Sequence, residues 1–111
     1  MTRIPFDPLE AAYLLDAYLS YANGEEPRAD VVRRVSRALR AAAQRAGQRF
    51  DESFRSEKGI AAQLARMEST FTGRDNPQNP STKLFRETVE LCRENPLAFQ
   101  NLLAKAKKLA K

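Results

Sequence analysis

FDPLEAAYLLDAYLSYANG, residues 6–24, reads as a helix with both of its ends marked. Asp7 stands where a side-chain oxygen can accept an orphan backbone N–H, and Pro8 takes the first helical position, where its missing donor costs nothing. Gly24 closes the segment at a place suited to a left-handed residue. Leu15, Leu19 and Ala22, with Ala12 and Tyr18 beside them, form an apolar face. Tyr13 and Tyr21 widen that face until little of the helix is left to meet water, so this element is predicted to lie in the core. The tyrosines are read as core residues before base-stacking ones.

Working outward, the same grammar repeats. Asp30 is predicted to cap a second helix over residues 31–46, in which Val32, Val35, Leu39, Ala42 and Ala46 recur at helical steps. Arg33, Arg37, Arg40 and Gln44 fall on another face of it, with Arg34 and Arg45 to one side. Gly47 ends that helix. A third carries Ile60, Leu64, Met67 and Phe71 as its core stripe and stops at Gly73. The loop GRDNPQNPS has two prolines and two asparagines, which oppose regular structure, and its Arg74 is read as part of a connector. Ser81 is expected to cap a fourth helix packing Leu84, Phe85, Thr88, Val89, Leu91 and Cys92 inward. Asn95-Pro96 opens a fifth with Phe99, Leu102, Leu103 and Ala106 on its apolar face. Apart from an optional short strand pair around residues 50–54, nothing alternates with a period of two. The expected fold is all-α: one compact domain, residues 1–111, of about five helices with a helix-turn-helix-like central pair.

Composition narrows the chemistry. With no histidine and a single cysteine, Cys92, the chain lacks the parts for His-based acid/base catalysis, Ser-His or Cys-His nucleophiles, an internal disulfide or an ordinary zinc site. Cys92 shares a helical face with Phe85 and Val89 and is read as an inert core thiol. No enzyme activity and no cofactor are expected. The apolar runs are too short to span a bilayer, and MTRIPFDPLE has no basic region followed by an apolar stretch, so a cytoplasmic chain without a membrane partner is expected.

Charge is unevenly placed. Residues 1–27 hold one basic residue against five acidic ones, residues 28–66 ten against four, and residues 67–111 eight against five, which makes up the net +5. The middle of the chain therefore carries the polyanion footprint, if there is one. Its candidates are Arg33, Arg37, Arg40 and Arg45 as phosphate contacts, and FRSEKGIAAQLARM, where Arg55, Ser56, Lys58, Gln63 and Arg66 surround the start of the third helix. Arg can present a fork of donors to guanine or phosphate, Gln can pair bidentately with adenine, and Ser56 can donate to a phosphate while capping the third helix, whose start favours an anion. The competing reading has Arg55 pairing with Asp51 or Glu52, Lys58 and Gln63 merely solvated, and the arginine stripe of the second helix a hydrated surface. Lys105, Lys107, Lys108 and Lys111 read as a solubilising helix end, favourable to the helix dipole.

Four segments, LLDAYLSYANGE, VSRALRAAA, FRSEKGIAAQLARME and STKLFRETVELCRENPLAFQNLL, together resemble the small N-terminal domain that precedes the nuclease in McrA-type, modification-dependent HNH restriction endonucleases and related bacterial defence proteins. At the third helix that family's pattern runs Phe-Arg-Asn, one residue, Asn-Gly-Ile, then a helix containing Gln or Lys. Phe54, Arg55, Gly59, Ile60 and Gln63 match it, while Ser56 and Lys58 replace its asparagines, which implies a base preference that differs from the family's or is lost. Without histidine the chain does not hold the nuclease motif. The resemblance implies a non-catalytic recognition module that senses double-stranded DNA and its modification in an antiviral restriction system, with a nuclease domain or subunit as partner. A small protein-interaction module or regulator that binds an acidic protein surface is the alternative.

Overall fold

The computed structural model describes residues 5–74 and 76–110, and over them the backbone forms five helices. These are α1 (Pro8–Ala22), α2 (Arg28–Arg45), α3 (Glu57–Thr72), α4 (Lys83–Glu94) and α5 (Pro96–Leu109). No strand occurs among the described residues, and residues 50–54 lie in a loop with a turn rather than in a strand pair. The radius of gyration, 13.3 Å, is close to the ~13 Å of a folded domain of this length, so the bundle is compact.

α1 is the axis of the bundle. It packs against all four other helices, and Ala11, Ala12, Leu14, Leu15 and Ala17 are wholly buried, with Tyr13 and Tyr18 nearly so. A helix buried on almost every side needs apolar residues all round, as this one has. Against it lie Val31, Val32, Val35 and Leu39 of α2, Ile60, Leu64 and Met67 of α3, Phe85 and Val89 of α4, and Phe99, Leu103 and Ala106 of α5. Phe71 and Cys92 pack at the margin of this core, half-buried. Burial pushes the Cys92 thiol above its ordinary pKa.

The helix ends follow the sequence at three places and depart from it at two. Asp7 accepts from the Glu10 N–H at 2.8 Å while the Glu10 carboxylate accepts from the Asp7 N–H at 3.2 Å, a complete capping box. Ser56 caps α3 and Asn95 caps α5. By contrast α2 starts at Arg28, three residues earlier than predicted, behind Pro27 and with no side-chain cap. Asp30 lies in the first turn, where it pairs with Arg33 and suits the positive end of the helix. α4 is capped by Thr82, not Ser81, whose hydroxyl accepts from Thr70 at 2.9 Å. α2 and α3 do pack together, but residues 46–56 connect them, far more chain than the three- or four-residue turn of a helix-turn-helix.

Candidate nucleic-acid interface

That long connection organises the site. The Asp51 carboxylate accepts from the backbone N–H groups of Ser53 and Phe54 and from the Ser53 hydroxyl, at 3.0, 3.2 and 2.6 Å, which folds the loop back on itself. These bonds, the Ser53 hydroxyl foremost, hold the Asp51 carboxyl below the usual carboxylate range. From α2, Arg40 donates to the carbonyls of Glu52 and Phe54, and the Ser36 hydroxyl donates to the carbonyl of Arg55 at 2.6 Å. Arg55 itself adopts φ +48°, a left-handed conformation unusual for a residue with a side chain.

The strained backbone turns the Arg55 side chain inward. Its guanidinium grips the Glu10 carboxylate with two prongs, Nε–Oε2 at 2.8 Å and Nη2–Oε1 at 2.9 Å, and donates to the Pro5 carbonyl at 3.1 Å. It sits 3.9 Å from the Phe6 ring centre and 4.5 Å from that of Phe54, with only 7% of its side chain exposed. Phe54 stacks on Phe50 at 4.7 Å, and Arg40 lies over Phe50 at 5.1 Å. Arg40, Phe50, Phe54, Arg55 and Phe6 thus form one ladder of two cations and three rings, each step favourable by roughly 0.5–2 kcal/mol. Neither the base-reading role expected of Arg55 nor its pairing with Asp51 or Glu52 survives this placement: a guanidinium already saturated by Glu10 and closed between rings does not face a groove.

The other expected readers of the third helix separate as well. Ser56 is half-buried and its oxygen is engaged by the Gly59 N–H at 3.2 Å. Lys58 is exposed, but it stands five residues from Gln63, about 140° around the helix. Gln63 and Arg66 instead line a cleft, together with Phe6, Leu84 and Phe85. Arg66 donates to the Pro80 carbonyl at 2.6 Å, while its Nε has no partner. FRSEKG is therefore a helix entry and an internal staple, not a continuous reading edge.

The α2 stripe is closer to expectation. Arg37 is exposed and makes no hydrogen bond or ion pair with the described residues. With Arg40, Gln44, Gln48, Arg49 and Phe50 it lines a shallow depression. Three arginines and two side-chain amides here offer donors to an anion, and Arg40 is held in place by its loop carbonyls and by Phe50. Arg33, one turn before Arg37, is exposed and shared with Asp30. Arg45 lies on the opposite edge of α2, donating to the Leu109 carbonyl at 3.3 Å, and Arg34 on that edge binds Glu26 at 2.8 Å and the Tyr13 hydroxyl at 3.2 Å. Neither adds to the depression.

Arg49, Gln48 and Phe50 were missed in the sequence. They follow Gly47, outside any helix, where periodicity says nothing about facing; the run Gln-Arg-Phe after a helix-ending glycine is the only available signal. Arg49 and Phe50 line both the depression and the cleft, so the two are neighbours on one side of the bundle. Elsewhere, Arg74 is exposed, Lys105 and Lys108 are exposed on α5, Lys107 pairs with Asp16 at 3.6 Å, and Lys111 lies outside the described residues. Among the described residues no group of His, Cys, Asp and Glu is arranged to hold a metal, and no helix is long and apolar enough to cross a membrane. No family model, curated protein or solved structure matches the chain.

Proposed function

We infer that the chain is a non-catalytic module that binds double-stranded DNA through the outer edge of α2. The observation that carries the reading is the depression in which Arg37 and Arg49, both without protein partners among the described residues, flank a fixed Arg40. Free cations beside a rigid one suit a phosphate backbone, because the site needs little reordering to receive it. Arg33 extends the row toward the start of α2. The resemblance to the recognition domains of modification-dependent restriction endonucleases supports the same class of ligand, and with it a nuclease partner, a place in antiviral defence and a cytoplasmic setting.

The test is fluorescence anisotropy of a short labelled duplex, unmodified and cytosine-methylated, across a salt series. Binding should weaken as salt rises, with a log–log slope of about −3 if three phosphates are neutralised. A preference for the methylated duplex would support the restriction-type role; absence of binding at low salt would overturn DNA binding altogether.

A further inference from the structure

We propose that the cleft between the α2–α3 loop, α3 and the start of α4 docks an acidic peptide segment of a protein partner, seating an aliphatic side chain between two arginines. The cleft has a volume of about 990 Å³, with Ile60 and Phe85 beneath it and the half-exposed Phe6 and Leu84 in its walls. Apolar walls with a few convergent polar groups are the usual make-up of a binding groove.

Charge decides what fits. Arg49 has no partner among the described residues, the Gln63 amide is uncommitted, and Arg66, whose Nε is buried and whose Nη1 donates to the Pro80 carbonyl, brings a second positive charge to the wall. The one carboxylate of the lining among the described residues, Asp51, already accepts three hydrogen bonds from its own loop, and Glu10 beyond it is consumed by Arg55. What the cleft has to spare is therefore donors and positive charge, which carboxylates complement. The aromatic lining sorts the apolar part of the ligand. Phe50 is engaged by Arg40 and Phe54, and Phe54 by Phe50 and Arg55, so these rings have their stacking surfaces occupied. Ring edges together with Leu84 suit Leu, Ile or Val, whereas a nucleobase requires an open flat face. A protein segment with Asp or Glu flanking an aliphatic residue satisfies both conditions.

The experiment is selection of a random phage-displayed peptide library on the full chain, followed by anisotropy of the enriched peptides on variants. Enriched sequences should place Asp or Glu beside Leu, Ile or Val. Leu84→Glu and Arg66→Glu should each weaken them by about tenfold, and Arg37→Ala should leave them unchanged. Thermal melts identify any variant that fails to fold, and either of the two then suffices. Failure to enrich any peptide, enrichment of basic peptides, or equal binding to a folded Leu84→Glu and a folded Arg66→Glu would each overturn the proposal. DNA binding is probed by Arg37 and is untouched by any of these outcomes, so the two readings fail separately.

Discussion

Arg55 and Glu10 close a two-pronged ion pair across 45 positions of sequence, joining the loop before α3 to the first turn of α1. Glu10 serves twice, because the same carboxylate completes the capping box with Asp7. Removal of the guanidinium strands a carboxylate that is only 17% exposed. Arg55→Ala should therefore cost about 3 kcal/mol in urea unfolding, as breaking a buried pair does. Arg55→Lys should recover little of it, since an ammonium neither forks nor stacks between Phe6 and Phe54. A loss within 0.5 kcal/mol for Arg55→Ala would show the pair to be incidental.

Arg37 and Arg49 separate duplex binding from stability. Each contacts no partner among the described residues, so Arg37→Ala and Arg49→Ala should melt within a few degrees of the parent. Each should reduce the steepness of the salt dependence by about one phosphate. Arg45→Ala and Lys58→Ala, which lie away from the depression, should leave that slope alone.

Thr82 and Ser81 offer a direct comparison of a cap with its neighbour. The Thr82 hydroxyl accepts from the Phe85 N–H at 3.2 Å. Thr82→Ala should cost about 1 kcal/mol in chemical denaturation, the usual loss for a helix cap. Ser81→Ala removes only a hydroxyl-to-hydroxyl bond with Thr70, and the smaller loss should rank the two.

Tyr21 should set the alkaline limit. Burial foremost, then its hydrogen bond to Glu68 at 2.9 Å, raises its pKa well above 10.0, and Tyr18 is raised as well, mainly by burial. The neutral phenol is thus favoured in the folded state, and the associated stability is complete below pH 10.0 and lost progressively above it, where only the unfolded chain ionises. Unfolding free energy measured from pH 9 upward should fall beyond about pH 10, and Tyr21→Phe should make the decline shallower.

Much of the fold is legible in short stretches. Asp7-Pro8, Ser56, Asn95-Pro96, Gly24, Gly47 and Gly73 each mark a boundary through chemistry confined to a few neighbouring residues, and the apolar steps of α3 and α5 mark the core side directly. The start of α2 misleads because an aspartate is favourable both as a cap and within the first turn, so Asp30 satisfies either reading. Ser81 and Thr82 are chemically equivalent as caps, and only the reach to Thr70 distinguishes them. The site was less legible for a different reason. The roles of Arg40, Arg45 and Arg55 are set by Phe54, Leu109 and Glu10, partners that helical periodicity does not link to them. Local sequence shows that an arginine is present, not which way it faces.

The ladder from Arg40 to Phe6 divides the cations of this chain into two populations with unequal responses to ionic strength. Counterions at physiological concentrations screen charges that stand in water over about 8 Å, and hardly reach a pair closed off from it. Arg55, buried against Glu10, keeps its grip in concentrated electrolyte, while the exposed Arg37 and Arg49 are masked. The loop should consequently hold its shape under conditions that strip polyanions from the surface. If the chain binds DNA as proposed, a high-salt wash during purification should remove the nucleic acid without unfolding the loop.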